Sequence, residues 1–112
     1  MIIGIDYGFK WCGLATSEGE LATPLEIIRT STVIERVKKL APSLVVVGVS
    51  EGQQAVKTKE FINELIAMTG FKVQIADETL TSIDAQRIKK VGKKDHHLAA
   101  ALILERWLED NK

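Results

Sequence analysis

The sequence predicts an α/β domain built on a five-stranded mixed sheet, an antiparallel meander followed by parallel strands, with helices on both faces. Three short apolar runs separated by glycine-containing turns occupy residues 1–29 and favour the meander. Further along, helical periodicity alternates with strand-like runs, which indicates helices that connect parallel strands. A chain of 112 residues with 46% hydrophobic content has room for one such core, so we expect one domain over residues 1–112.

The predicted meander has three strands, at residues 1–5, 12–16 and 24–29. A few residues containing Gly8 join the first two strands, and Gly19 precedes the third. Short connections with glycine favour hairpins, because glycine adopts the positive φ angles that tight turns require. The sequence therefore predicts that these strands are antiparallel neighbours.

The first predicted helix follows the meander directly. Thr32 and Glu35 have the spacing of a capping box, and apolar residues then repeat at helical spacing up to a stop at Pro42. The next segment, Leu44–Val49, is a short and mainly β-branched run bounded by Pro42 and Gly52. Such a run is typical of a strand buried on both faces, so we expect it to be the central strand of the parallel half.

The second half of the chain predicts three more helices and one strand. A helix at residues 53–68 ends at Gly70, the strand follows at 71–76, and a helix opens at Thr81 with capping-box spacing and ends at Gly92. The first of these helices has one apolar stripe: Phe61, Ile62, Leu65 and Met68. The final helix follows Asp95, and its predicted apolar side consists of Leu98, Ala99, Leu102, Ile103 and Trp107.

Acidic residues fall at three element ends that this topology can bring together. Asp6 follows the first strand, Asp77 and Glu78 follow the last strand, and Asp95 precedes the final helix. Because crossovers are right-handed, the strand that carries Asp6 should lie beside the strand that ends near Gly48. Gathered carboxylates repel one another unless hard cations neutralise them, which is the arrangement of magnesium-dependent phosphodiester cleavage.

Each of these acids also has an ordinary structural explanation. Asp95 by itself is typical of a helix cap, and Asp77 and Glu78 are typical of a solvated turn. Adjacent strand residues face opposite sides of a sheet, so at most one of that pair can face such a site. The local pattern leaves the choice between them open.

The charge pattern offers a candidate nucleic-acid surface. Fifteen basic and fifteen acidic residues balance, which excludes the overall basic field of an abundant nucleic-acid coat protein. A local cluster before Asp95 is basic: Arg87, Lys89, Lys90, Lys93 and Lys94. This cluster fits phosphate contacts and fits the solvated end of a helix equally well.

Several motifs, in the same order along the chain, resemble those of the YqgF/RuvX family. Residues 3–15 are similar to the opening strand, turn and second strand of that family, and residues 23–25 to the entry of its third strand. Residues 45–48 resemble its central strand. Asp-Glu-Thr-Leu-Thr-Ser at 77–82 resembles its Asp-Glu-Arg-Leu-Thr-Thr motif, and residues 94–104 resemble its closing helix.

The resemblance implies an RNase H-like fold and a metal-dependent nuclease, a hydrolase acting on ester bonds. Proteins of this family are described as candidate Holliday junction resolvases and as candidate nucleases that mature the 5′ end of pre-16S rRNA. The resemblance selects Asp6, Glu78 and Asp95 as the catalytic triad and as ligands of Mg²⁺ or Mn²⁺. Lys10 and the basic cluster are the expected nucleic-acid contacts. RNA processing is the preferred function, and resolution of DNA junctions is the alternative.

Departures from the family pattern keep a third possibility open. Trp11 and Thr79 stand where the family commonly has arginine, and Val-Ser at 49–50 replaces its usual Leu-Pro. These changes favour a domain that binds nucleic acid without cutting it, whereas the retained acids favour catalysis. An aromatic residue at position 11 could stack on an unpaired base, although packing on the sheet is the more common role. We interpret His96 and His97 as a solvated pair at a helix start rather than as proton-transfer groups.

The sequence predicts a cytoplasmic protein with no membrane partner. The longest wholly apolar stretch, residues 98–104, is far shorter than the roughly 20 residues that cross a bilayer, and the N-terminus lacks a targeting pattern. The single cysteine, Cys12, excludes an internal disulfide. A junction resolvase must pair two active sites, so a homodimer is expected if DNA junctions are the substrate.

Overall fold

The five strands of the predicted sheet are all present. The computed structural model describes residues 1–19, 21–49, 53–77 and 96–111. The strands are β1 (Ile2–Asp6), β2 (Trp11–Ser17), β3 (Ala22–Arg29), β4 (Leu44–Val49) and β5 (Val73–Asp77), in the sheet order β3-β2-β1-β4-β5. The pairs β1–β2 and β2–β3 are antiparallel, and β1–β4 and β4–β5 are parallel. The prediction of a meander followed by parallel strands is confirmed.

Helices cover both faces of this sheet. A single 3-10 turn, Thr30–Thr32, leads into α1 (Val33–Leu40), and α2 (Gln53–Thr69) connects β4 to β5. The apolar residues of α1 and α2 pack on one face, and those of α3 (His96–Asp110) pack on the other. The helix predicted at residues 81–92 lies outside the described residues. Within the described part of the chain, every helix is too short or too polar to span a bilayer.

Strand alternation supplies the two cores. In β1, Ile3 and Ile5 are fully buried in the core beneath α1 and α2, whereas Gly4 lies against α3. In β4, Val45 and Val47 belong to the first core and Val46 to the second. This confirms β4 as a strand buried on both faces.

The predicted capping box at Thr32 is wrong. The Thr32 side chain makes no cap to α1, and its hydroxyl instead donates to the backbone carbonyl of Arg29 at 2.7 Å. The reason is the 3-10 turn, which holds Thr32 in a helical conformation (φ −109°, ψ −2°) rather than the extended one of a typical N-cap. α1 ends as predicted, with Ala41 in the left-handed region before Pro42.

Two predicted core residues are exposed. Met68 lies in the last turn of α2 at the flank of a stripe whose buried members are Phe61, Ile62 and Leu65. In α3 the buried residues are Ala99, Ala100, Ala101, Ile103 and Leu104. At about 100° per residue, Leu98 points almost opposite to the centre of that set, which explains its exposure.

The α3 helix approaches the sheet unusually closely. A Cβ atom added at Gly4 would lie 2.9 Å from the Cβ of Leu104 and 3.0 Å from the carbonyl oxygen of Ala100. Glycine in β1 and alanines in α3 therefore allow backbone to pack almost directly on backbone. This packing fixes the position of the first turn of α3 relative to the end of β1.

Candidate active site

Asp6 occupies an open position at the carboxyl end of β1. Its neighbours across the sheet are Gly13 in β2 and Gly48 in β4. Alternation along β1 places Asp6 on the face covered by α3, the same face as Gly4. Since neither cross-strand neighbour carries a side chain, the space around the carboxylate is left for a group from outside the sheet.

That group is His96, the first residue of α3. Its Nδ1 atom lies 2.7 Å from Oδ2 of Asp6, and the two side chains are 24% and 14% exposed. A carboxylate accepts hydrogen bonds, so Nδ1 carries the hydrogen and donates the hydrogen bond to Oδ2 of Asp6. Oδ1 of Asp6 has no hydrogen-bond partner among the described residues.

Two glycines make room for this contact. A Cβ atom at Gly13 would overlap the carbonyl group of His96 and the backbone nitrogen of His97. A Cβ atom at Gly8 would overlap the carbonyl oxygen of Trp11 and would lie 3.6 Å from Cε1 of His96. The glycines of the opening motif are therefore required by the docking of α3 as well as by the turn.

The interpretation of the two histidines as a solvated pair is wrong. His96 is partly buried against Asp6, and Nδ1 of His97 is buried without a hydrogen-bond partner in the part of the chain that the structure describes. The Asp6–His96 contact joins residues 90 positions apart. No local pattern encodes such a contact, and only the face of Asp6 together with the start of α3 could have indicated it.

The turn between β1 and β2 is hydrogen-bonded to Thr30, the residue that follows β3. The hydroxyl of Thr30 donates to the carbonyl oxygen of Gly8 at 2.6 Å, and the backbone N–H of Thr30 donates to the carbonyl of Lys10 at 3.0 Å. The thiol of Cys12 lies beneath, 3.3 Å from the Thr30 hydroxyl. Burial raises the pKa of Cys12, and its contacts with Thr30 and Gly8 only partly oppose that effect.

The neutral Cys12 thiol should make stability depend on alkaline pH. In the folded protein the thiol keeps its proton, whereas in the unfolded chain it ionises at its ordinary pKa, so the free energy of unfolding should fall as the pH rises above that value. Urea unfolding across this range should show a shallower fall for Cys12→Ala. If the free energy of unfolding falls equally steeply with pH in the unmodified protein and in Cys12→Ala, burial does not raise the pKa of Cys12 as described.

The structure places only part of the predicted site. Lys10 is exposed in the β1–β2 turn, as a phosphate contact requires. The other predicted residues lie outside the described residues: Glu78, Asp95, Arg87, Lys89, Lys90, Lys93 and Lys94. Among the described residues, no group of three His, Cys, Asp or Glu side chains could hold a metal ion. The triad therefore stays a prediction.

The end of β5 and the start of α3, which flank the predicted acids, lie on the same side of the molecule as Asp6. Asp6, Gly48 and Ala76 form one row across β1, β4 and β5. With strands about 4.8 Å apart, this row spans about 10 Å between β1 and β5. β5 ends at Asp77, one residue past the row, and α3 begins at His96 in contact with Asp6.

Comparison with known proteins agrees with the predicted family and with the predicted nuclease activity. The family model described as RuvX, Holliday junction resolvase, matches residues 1–110. A relative from Bordetella petrii is 30% identical, with 96% of this chain and 94% of the relative covered. A relative from Sulfurihydrogenibium sp. is 35% identical, with 96% and 89% covered. Both relatives are named as candidate pre-16S rRNA nucleases.

Comparison of structures supports the fold. RuvC of Thermus thermophilus in complex with a Holliday junction substrate superposes with a TM-score of 0.67 at 15% identity, covering 98% of this chain and 94% of RuvC. A second structure of the same RuvC gives a TM-score of 0.63 at 13% identity, with 98% and 95% covered. RuvC has an RNase H-like fold, so the predicted fold class is confirmed. On the match over residues 1–110, the chain belongs to the RuvX family.

Proposed function

We propose that this protein is a divalent-metal-dependent endonuclease that hydrolyses phosphodiester bonds in structured nucleic acid, with the 5′ end of pre-16S rRNA as its substrate. The observation that carries the proposal is the Asp6 carboxylate, which lies at the open end of β1 with one oxygen held by His96. Family membership and the names of the relatives support the same activity. A cytoplasmic location and a nucleic-acid partner belong to this proposal.

The residues at this edge fit Mg²⁺ or Mn²⁺. Both ions prefer oxygen ligands, and Asp6 offers a partly buried carboxylate whose Oδ1 has no partner among the described residues. We assign Glu78 and Asp95 as the remaining ligands. Support comes from the chain, because Glu78 directly follows β5, which ends two strands away from Asp6, and Asp95 directly precedes α3, which begins in contact with Asp6.

The protein side chains would orient the reacting groups and would form no covalent bond with the substrate. Divalent ions bound to such carboxylates supply the charge that activates water and stabilises the leaving oxygen. His96 holds the Asp6 carboxylate in one orientation through its 2.7 Å hydrogen bond. Gly13 and Gly48 leave space beside that carboxylate for a phosphate, and Lys10 offers a positive charge to the nucleic-acid backbone.

The His96 contact should matter for both metal affinity and turnover. His96→Ala removes the donor, and loss of such a supporting hydrogen bond typically costs about 10–100-fold in affinity or activity. His96→Asn retains an N–H donor near the position of Nδ1, so it should recover most of both properties. Titration calorimetry with Mn²⁺ and single-turnover cleavage of precursor RNA measure the two effects separately.

Leu98→Ala provides the matched control for His96. Leu98 lies in the same first turn of α3 but is exposed, so its replacement should change neither Mn²⁺ affinity nor cleavage. If His96→Asn and His96→Ala lose activity equally, the hydrogen bond does not orient Asp6 and the assigned role is wrong.

Incubation with two substrates tests the proposed function. Precursor 16S rRNA and a four-way DNA junction are each mixed with the protein in Mg²⁺, in Mn²⁺ and in EDTA. We expect cleavage of the RNA near the mature 5′ end with either ion and none in EDTA. Absence of metal-dependent cleavage of both substrates would refute the proposal and favour the domain that binds without cutting.

Junction resolution is the second candidate function. The description of the matched family favours it, as does the likeness to a RuvC structure that contains a Holliday junction. Paired, symmetric incisions in the DNA junction would establish it. A resolvase must align two active sites, so sedimentation should then show a homodimer, whereas a monomer that cuts only RNA supports the first candidate.

A further inference from the structure

The β1–β2 turn carries a surface that the proposed mechanism leaves mostly unused. Phe9 and Trp11 are 60% and 38% exposed, although both are large aromatic residues. The guanidinium carbon of Arg29 lies 5.1 Å from the centroid of the Trp11 ring, and Lys10 is exposed between the two aromatics. We call these four residues the stacking surface.

Trp11 faces the same side of the sheet as Asp6. Gly13 pairs with Asp6 and lies against the backbone of α3, and Trp11 precedes Gly13 by two residues, so alternation puts both on one face. From its start at Gly13, α3 runs towards Gly4, away from Trp11. The Trp11 ring therefore lies beyond the first residue of the helix, at the edge where Asp6 is located.

The distance between Asp6 and Trp11 matches the spacing of neighbouring nucleotides on one nucleic-acid strand. Trp11 is the diagonal cross-strand neighbour of Asp6, and such neighbours have Cα atoms about 7–8 Å apart. A single nucleotide can bridge that distance. A phosphate at Asp6 and a base on Trp11 can thus belong to the same or adjacent nucleotides.

Arg29 contacts the Trp11 ring. Trp11 and Arg29 are opposite each other in β2 and β3, and the guanidinium approaches the ring at cation–π distance. This contact orients the indole and places a positive charge beside it. Lys10 adds a second exposed charge, so both the aromatic and the cationic parts of the surface complement a nucleotide.

We propose that the stacking surface binds an unpaired nucleotide next to the space for a phosphate beside Asp6, with its base on the Trp11 ring and its backbone near Lys10 and Arg29. This inference rests on the proposed nuclease function and narrows its substrate. Cleavage is therefore expected beside unpaired nucleotides, because a base inside a duplex cannot leave its stack without cost. The selectivity is for unpaired structure and not for sequence, since every base has a face that can stack.

Binding to two RNA probes without divalent ions tests the stacking surface. One probe is a labelled RNA hairpin with a short single-stranded extension, and the other is the same hairpin with a blunt end. In EDTA, Trp11→Ala should bind the extended hairpin roughly 5- to 150-fold more weakly, the range expected for one lost base–aromatic stack. Binding of the blunt hairpin should change little.

Leu21→Ala is the matched control for this experiment. Leu21 is an exposed apolar residue just before β3, at the opposite end of β2 from Trp11, and its truncation should leave both affinities unchanged. Arg29→Gln should weaken binding of the extended hairpin less than Trp11→Ala does, because the ring remains.

Tryptophan fluorescence reports the contact directly. The chain has two tryptophans, so Trp107→Phe leaves Trp11 as the only one and Trp11→Phe leaves Trp107. The extended hairpin should quench the fluorescence of the first variant and leave the second unchanged. Trp107 is about 16 Å along α3 from His96 and reports no contact at the turn.

The outcomes separate the stacking surface from the nuclease activity. Equal losses on both hairpins for Trp11→Ala, or unquenched Trp11 fluorescence, would overturn the stacking surface even if the protein cuts RNA. A preference for the extended hairpin in a protein that cuts nothing would support the stacking surface and refute only the proposed activity.

Discussion

Asp6→Asn is expected to reduce metal-dependent cleavage at least about 100-fold while the protein stays folded. Asparagine has almost the same shape as aspartate, and its carbonyl oxygen can still accept the hydrogen bond from Nδ1 of His96. It lacks the negative charge and the second oxygen that a divalent ion needs. The expected result is therefore a loss of Mn²⁺ affinity and of cleavage without a comparable loss of stability.

Glu18→Gln is the matched control for this substitution. It makes the same change of charge at an exposed position that follows β2, at the far end of the sheet from Asp6. Cleavage of precursor RNA, calorimetry with Mn²⁺ and urea unfolding should be measured for both variants. Cutting by Asp6→Asn at the rate of the unmodified protein would eliminate the proposed metal centre.

Gly13→Ala is expected to produce the largest loss of stability. The added Cβ would overlap the backbone of His96 and His97, and no side-chain rotation can relieve a clash with backbone. The start of α3 must therefore move away from β2, which should lower the free energy of unfolding by about 1–3 kcal/mol. The same movement would separate His96 from Asp6, so the remaining folded protein should also cleave more slowly.

Gly19→Ala separates this clash from the general effect of replacing glycine. A Cβ atom at Gly19 would meet nothing within 4 Å, and its backbone does not have a positive φ. Urea unfolding should therefore show little change for Gly19→Ala and a lowered midpoint for Gly13→Ala. Equal midpoints would mean that α3 does not press on β2 as described.

The strand pattern could be predicted from sequence because its signals are local. Each strand is marked by an apolar run, by alternation within the run and by a glycine turn beside it. The five predicted strands and the predicted position of β1 next to β4 are confirmed. The errors arose where tertiary packing decides. The capping box at Thr32 gave way to a 3-10 turn, and Leu98 faces away from the sheet because the buried stripe of α3 has a different centre.

The candidate site was only partly predictable. Asp6 has a local signature, a carboxylate between an apolar strand and a glycine turn, and the structure places it at the carboxyl end of the central strand. Asp95 and the Asp77–Glu78 pair were candidates because they lie at element ends, but the choice of Glu78 and the assignment of the triad rested on resemblance to a family, and Glu78 and Asp95 lie outside the described residues. His96 was misinterpreted because its contact with Asp6 depends on how closely α3 docks against Gly13.

The bonds between Thr30 and the β1–β2 turn have an energetic consequence. Since Thr30 anchors the carbonyl groups of Gly8 and Lys10, the loop is already ordered before any strand of nucleic acid arrives. A pre-organised loop loses little conformational entropy on association, so more of the contact energy is retained as affinity. Thr30 is the first residue of the 3-10 turn that follows β3, so we expect the junction between β3 and α1 to influence substrate affinity from a distance.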